Sequence, residues 1–239
     1  MIEYSYGKNT VLQRLKQGKP IETIYLVSAH QEIEQLAKRQ KVRVEKIDGA
    51  LANKMVKGNH QGVIARVKAY ETKTLDQLLN KLDMSKNPIL VMCDHLEDPH
   101  NLGAILRTCD AVGVDGVIIN KDRSVTLNAT VAKVSTGAID TVDVEVETNL
   151  VNSVKKLKQH GFWIVAADNA ESIDYRQVPH DRPLVVIVGS EGKGVSQLLK
   201  KESDYRVAIF MLGKINSLNV SVACGVMLYS IVEKRVPIQ

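Results

Sequence analysis

Three short stretches of this chain gather the residue types that chemistry needs. The first, DPHNLGAILRTCDAVG at 98–113, carries an amide at Asn101 and a guanidinium at Arg107 among the small residues Gly103, Ala104 and Ala111. An arginine fork holds phosphate or carboxylate oxygens, and an asparagine at a helix start can cap free N–H groups. The second, GSEGKGVS at 189–196, follows an apolar run and has glycines at its first, fourth and sixth positions. Such a loop can adopt positive φ and bring its backbone close to a ligand. Its spacing matches neither the dinucleotide fingerprint nor the phosphate loop that ends in Gly-Lys-Ser/Thr. Glu191 inside it would repel a phosphate, which favours a cofactor held through base, ribose and amino acid. The third, MLGKINSLNVSVACGVMLY at 211–229, packs Asn216, Ser217, Asn219 and Ser221 into six residues at the mouth of the most apolar helix. Each stretch also has a plain reading: Asn101, Ser217 or Asn219 as helix caps, Arg107 as a surface charge.

Chemistry at these positions requires a scaffold that brings them together. Strands are predicted at 89–93, 116–119, 141–146, 162–166, 184–188 and 205–210, and helices at 102–112, 128–136, 150–159, 194–200 and 220–232. This alternation argues for an α/β domain with a parallel sheet covered on both faces. The three stretches follow strands 89–93, 184–188 and 205–210, so they belong to the loops beyond strand carboxyl ends, where open parallel sheets bind ligands. Ahead of this part, helices at 9–17, 32–39 and 48–55 and strands at 24–27, 42–46 and 62–67 make a smaller α/β module. The expected division is a small domain at 1–72, a polar linker at 73–87 and a large domain at 88–239. There is no internal repeat or low-complexity tract.

Composition narrows the function classes. Of 239 residues, 44% are hydrophobic and 25% charged, as in an ordinary globular protein. The net charge of +5 is unevenly placed: residues 1–80 hold 14 Lys and Arg against 8 Asp and Glu, and residues 81–239 hold 18 against 19. A basic module beside a nearly neutral one suits a polyanion-binding part joined to a more specific one. No run of 18 apolar residues and no leader pattern is present, so a cytoplasmic location without membrane contact is expected. Cys93, Cys109 and Cys224 are odd in number and lack metal-ligand spacing, which reads as buried thiols in a reducing compartment. His95 and His100 lack the further ligands a metal would need, and no metal is expected. Trp163 lies in a strand-like run and is expected in the core.

Taken jointly, the three stretches resemble the motifs of the TrmH-like (SpoU-type) ribose 2′-O-methyltransferases of the SPOUT class. The resemblance rests on Asn101, Gly103 and Arg107; on Gly189, Glu191, Gly192 and Gly194; and on Ser217, Leu218, Asn219, Val220 and Ser221, in matching order and spacing. It covers residues 88–235, and 1–75 resemble the small, ribosomal-protein-like RNA-binding domain of the subgroup acting on large-subunit ribosomal RNA, with HQGVIA at 60–65 as the clearest signature. The resemblance implies a deep trefoil knot in the large domain, a homodimer, and S-adenosylmethionine held around Gly189, Ser190, Gly192, Ile209, Met211, Leu218 and Asn219. It places Asn101, Arg107, Glu191, Ser217 and Asn219 in the catalytic group, with Arg107 completing the partner's site. On this reading Arg107 clamps a phosphate and orients the ribose, Asn101 fixes its fork, Glu191 positions the arginine or the nucleotide, and Ser217 and Asn219 shape the hydroxyl pocket. Lys38, Arg39, Lys41, Arg43, Lys54 and Lys57 are the expected contacts to RNA phosphates, and Tyr4, Tyr6 and Tyr25 the candidate stacking residues. The implied activity is methylation of a ribose 2′-hydroxyl, of a guanosine by subgroup, in 23S ribosomal RNA. A transfer-RNA ribose methyltransferase and a non-catalytic ribosome-assembly protein are the alternatives.

Overall fold

The computed structural model describes residues 2–68, 70, 72–168 and 172–236. Seven elements build the small domain: β1 (Ile2–Tyr6), α1 (Lys8–Lys16), β2 (Thr23–Leu26), α2 (Gln31–Arg39), β3 (Arg43–Lys46), α3 (Gly49–Met55) and β4 (Val63–Lys68). Their sheet runs β1-β4-β2-β3, with only the β2–β3 pair parallel. Val11, Leu15, Ile33 and Ala37 of α1 and α2 cover one face, against Ile24, Leu26, Val63, Ala65 and Val67. The other face buries Tyr6 and Ile64 against Ala52 and Val56 beside α3. β1 was not predicted. Its alternation of Tyr4 and Tyr6 with Glu3 and Ser5 is short, and its polar positions hide the pattern.

The stretch at 73–87 is more than a tether. Thr74 and Gln77 form a reciprocal capping box that starts α4 (Leu75–Leu79). Leu75, Leu78 and Leu79 are buried against the large domain, and the Lys73 N–H donates to the Val144 carbonyl at 2.9 Å.

The large domain continues with β5 (Ile89–Asp94), α5 (Pro99–Val112), β6 (Gly116–Asn120), α6 (Ala129–Val134), β7 (Val144–Glu147), α7 (Leu150–Gln159), β8 (Trp163–Ala167), β9 (Ile173–Asp174), β10 (Leu184–Gly189), α8 (Gln197–Glu202), β11 (Tyr205–Ala208) and α9 (Val220–Glu233). All its strand pairs are parallel, in the order β7-β6-β5-β10-β8-β11-β9. This is the SPOUT-type α/β architecture that the sequence motifs implied. The chain steps from β5 outward to β7, crosses to β8, and returns with β10 between β8 and β5, so the order reverses between β5 and β10. All six residues of β5 are buried. One face packs on α5, α6 and α9 through residues such as Leu102, Ile105, Val131 and Leu228; the other packs on α4, α7 and α8 through Leu78, Val154, Leu157 and Leu199. Burial of this kind, about 25 cal/mol per Å² of apolar surface, holds the helices down.

The two domains are cross-linked by polar contacts. Arg14 Nη1 donates to both carboxylate oxygens of Asp140, at 2.5 and 2.6 Å, with both side chains at most a tenth exposed. The Arg14 guanidinium also lies 5.7 Å from the Tyr70 ring centre, and Lys133 lies 5.3 Å from that of Tyr6. Trp163 departs from expectation: it is 39% exposed, stacked on Tyr205 at 5.7 Å, with Arg182 4.6 Å from its ring centre. Among the described residues no helix is long and apolar enough to cross a membrane.

Candidate active site

The reversal of strand order sets two loops side by side. Gly189 at the end of β10 is paired with Asp94 at the end of β5, which makes this the crevice where an open parallel sheet takes its ligand. Asp94 is buried, and its carboxylate accepts from the Ser196 N–H at 2.7 Å and contacts His95 Nδ1 at 2.6 Å. The glycine loop is thereby fastened at its far end. At its near end, a Cβ on Gly189 would lie 2.0 Å from the Gly194 carbonyl carbon, so no side chain fits there. Gly192 and Gly194 take φ of 87° and 65°, and the Gly194 N–H closes the turn on the Ser190 carbonyl at 2.9 Å. Glu191 stands exposed at the tip.

Three of the five predicted site residues meet there. Asn101 Nδ2 donates to Glu191 Oε1 at 2.9 Å, and Asn219 Nδ2 donates both to Glu191 Oε1 at 2.8 Å and to Asn101 Oδ1 at 2.9 Å. Asn219 is also the cap of α9, with its Oδ1 accepting from the N–H groups of Ser221 and Val222, so its plain and functional readings both hold. Asn101 is no cap: Asp98 caps α5, and Asn101 lies in the first turn, 5% exposed and turned into the triangle. Each of the three loops contributes one corner. Among the described residues no cation pairs with Glu191.

Ser217 and Arg107 stand apart from this group. Ser217 is exposed, and its Oγ reaches only Asn216 Oδ1, at 3.5 Å. Within one protomer Asn101 does not reach the fork of Arg107. Six residues of helix separate the two by about 120° around α5 and about 9 Å along it. The Arg107 guanidinium is exposed and makes no hydrogen bond or ion pair among the described residues. It shares its side of α5 with Ala104 and Thr108, which with Val222, Gly225 and Tyr229 line an open groove of about 450 Å³ between α5 and α9.

The residues expected to hold a cofactor lie on the same loops. Gly189, Ser190 and Gly192 belong to the glycine turn; Ile209, Met211 and Leu218 flank an irregular stretch between β11 and α9. β11 ends at Ala208, two residues earlier than predicted, and α8 starts at Gln197 rather than 194, which lengthens both loops. Phe210, Leu212, Ile215 and Leu218 are 68%, 100%, 71% and 38% exposed. Exposed apolar side chains beside open backbone and a carboxylate fit a ligand with an apolar body and a cationic centre, and they do not fit a polyphosphate. Asp94 and Ser196 were missed by sequence reasoning; the available signal was a single charge closing an otherwise apolar strand.

Away from the crevice, burial pushes the thiols of Cys93 and Cys109 upward and that of Cys224 up to about 12, leaving them inert. No cluster of three or more His, Cys, Asp or Glu able to hold a metal occurs among the described residues. The six basic residues expected to contact RNA are all exposed. Lys38, Arg39, Lys41 and Arg43 gather where α2 leads into β3, and Lys54 and Lys57 lie at the end of α3; Arg43 is partly spent on Glu45 at 2.8 Å.

Comparisons with known proteins agree with this layout. Residues 88–229 match the model of the SpoU rRNA Methylase family, and residues 4–73 match that described as RNA 2′-O ribose methyltransferase substrate binding. A Bacillus subtilis protein carrying the name TrmH family tRNA/rRNA methyltransferase YacO is 39% identical over 99% of this chain and 97% of its own. The AdoMet-bound rRNA methyltransferase of Sinorhizobium meliloti shares the fold, with a TM-score of 0.82 at 22% identity, over 99% of this chain and 88% of that one. A TrmH/SpoU tRNA modifying enzyme of A. aeolicus is 34% identical, with a TM-score of 0.59, and covers 67% of this chain and 82% of its own.

Proposed function

The chain belongs to the SpoU rRNA methylase family and is an S-adenosylmethionine-dependent RNA ribose 2′-O-methyltransferase, and from that premise we propose that its target is a guanosine of large-subunit (23S) ribosomal RNA. The substrate class rests on the small domain. The rRNA methyltransferase compared above is covered along nearly the whole of this chain, whereas the tRNA modifying enzyme spans two thirds of it.

The observation that carries the site assignment is the triangle of Asn101, Glu191 and Asn219. Bound S-adenosylmethionine supplies an electrophilic methyl on a sulfonium, and Gly189, Ser190, Gly192, Ile209, Met211, Leu218 and Asn219 are the residues that would hold it. The chain's own task is to bring a ribose 2′-hydroxyl into line with that methyl and to keep water out. Asn101 and Asn219 fix the Glu191 carboxylate by two hydrogen bonds and are tied to each other by a third. Arg107 presents a guanidinium fork that matches phosphate oxygens, so its role is that of a clamp on the phosphate beside the target ribose. Among the described residues of its own protomer Glu191 has no cation and Arg107 no anion. A homodimer closed over the α5–α9 groove answers both, with Arg107 of one protomer serving the crevice of its partner. Ser217 lies on the exposed loop, where substrate would order it. Lys38, Arg39, Lys41, Arg43, Lys54 and Lys57 contact RNA phosphates, and binding then weakens steeply as salt rises.

The test uses Arg107→Ala and Asn101→Ala enzymes shown to dimerise and bind cofactor. Methyl transfer to ribosomal RNA falls in both by about 100-fold or more. Full activity in both removes the assignment, and transfer to transfer RNA but not to ribosomal RNA reverses the choice of substrate.

A further inference from the structure

Between the two domains lies an open cleft of about 320 Å³. Tyr4, Tyr6, Met55 and Lys57 form its small-domain wall, and Asn128 and Thr130, at the start of α6, form the other. We propose that this cleft seats one unpaired nucleotide of the substrate RNA, its base on Tyr4 and its phosphate against Lys57, so that the RNA is gripped by both domains at once. The proposal rests on the RNA methyltransferase reading above and adds a specific subsite to it.

The chemistry of the walls favours a nucleotide. Tyr4 is half-buried and, like Met55 and Ala129, packs against the Tyr6–Val56 cluster, so the cleft wall offers an aromatic ring and a thioether together. Such a face stacks any base. Lys57 is exposed and has no ion pair among the described residues, and Lys54 one turn earlier is likewise unpaired. Glu3, the only acidic residue lining the cleft among the described residues, alternates with Tyr4 and Tyr6 on β1 and turns its side chain toward the opposite face of the sheet. The volume suits one small ligand rather than a protein surface.

The cleft is also held open in advance. The Tyr6 hydroxyl lies 3.5 Å from both the Lys57 carbonyl and Thr130 Oγ1, and Lys133 donates to the Asn59 carbonyl while capping the Tyr6 ring. A Cβ on Gly58 would fall 2.8 Å from that same hydroxyl, so the chain passes Tyr6 with no room to spare. The Arg14–Asp140 pair fastens the junction elsewhere.

Position links the cleft to the chemistry. α6 packs against the start of α5: a Cβ on Gly103 would lie 2.6 Å from Val134 Cβ and 3.1 Å from the Val131 carbonyl oxygen. Gly103 is two residues from Asn101, so the large-domain wall of the cleft is seated on the helix that carries both Asn101 and Arg107.

Binding of a fluorescent uridine hexamer to the full-length protein tests the proposal, alongside methyl transfer to ribosomal RNA. Tyr4→Ala is expected to weaken hexamer binding by about 5- to 100-fold and Tyr4→Phe to restore it. Lys57→Ala is expected to lower the slope of log affinity against log salt by about 0.7. In methyl transfer both losses raise KM for RNA and leave kcat within about twofold, because neither side chain belongs to the triangle or to the Arg107 clamp. Unchanged hexamer binding in Tyr4→Ala overturns the subsite, as does a fall in kcat at unchanged KM. Should Tyr4→Ala melt early, a thiouridine-substituted hexamer cross-linked to the wild type decides: adducts at Tyr4 or Met55 support the cleft, and adducts confined to 38–43 overturn it. A wild type that binds the hexamer through Tyr4 yet methylates no RNA sinks the enzymatic reading and spares the cleft.

Discussion

The strand-end triangle and the domain junction are both polar meeting points of distant segments, and they are built on opposite terms. At the triangle, two neutral amides hold one carboxylate near the surface, and no cation among the described residues balances it. At the junction, a full ion pair is buried, and burial raises the Asp140 carboxyl even though Arg14 opposes that shift. A buried pair is expensive to break and of little chemical use, since its charges are spent on each other. An exposed carboxylate held by amides contributes little to stability and keeps its charge for a ligand. Stability and chemistry therefore reside in different residues here, and substitutions separate them.

The largest effect is expected at the junction. Asp140→Ala strands a buried guanidinium and lowers unfolding free energy by about 3–5 kcal/mol, read from denaturant melts. Arg14→Met with Asp140→Leu removes both charges and loses far less. A double variant as unstable as the single one would erase the contrast with the triangle. There, Glu191→Ala is expected to lower methyl transfer by about 100-fold, equivalent to about 2.7 kcal/mol, while leaving the melts within about 0.5 kcal/mol of wild type. Glu191→Gln keeps an oxygen for both amides and loses only charge. Its activity tells whether the carboxylate acts by position or by charge, and a melt that drops with activity would make the triangle structural.

How much of this contrast was legible beforehand differs between the regions. The buried strands were: 89–93 and 184–188 are apolar runs that only a sheet covered on both faces accommodates, and the loops after them were correctly joined. The separation of Arg107 from Asn101 was computable from six residues of helix. The partners of Glu191 were not, because pairing across 90 and 28 residues leaves no local pattern. The junction was invisible for the same reason: Arg14 and Asp140 are 126 residues apart, and each alone reads as a surface charge.

A third polar site extends the comparison to pH. Glu145 on β7 is fully buried, and neither carboxylate oxygen makes a hydrogen bond of normal geometry among the described residues. Burial, reinforced by Glu147, pushes its carboxyl up to about 9 from an ordinary 4.5. The folded chain thus keeps a proton that the unfolded chain releases above pH 4.5, and stability falls as pH rises from there toward 9. The slope is at most about 1.4 kcal/mol per pH unit. Glu145→Gln should flatten it between pH 6 and 9 without altering methyl transfer at saturating substrate; an unchanged slope places the titrating group elsewhere.

The smallest effect distinguishes a polar contact from mere polar proximity. Beside the Arg14–Asp140 pair, the Tyr70 hydroxyl and Ser5 Oγ are both buried, and neither makes a hydrogen bond of normal geometry. Burial raises the Tyr70 hydroxyl to about 12, so it stays neutral. A buried hydroxyl without a partner opposes folding, whereas the ring, 5.7 Å from the Arg14 guanidinium, supports it. Tyr70→Phe keeps the ring and removes the hydroxyl, so stability should hold or rise by up to about 1 kcal/mol, and Tyr70→Leu should lose about 1–2 kcal/mol. A loss of more than about 1 kcal/mol in Tyr70→Phe would mean that the hydroxyl is satisfied in solution, by a water shared with Ser5, and that the junction is a continuous polar network rather than one ion pair in an apolar seam.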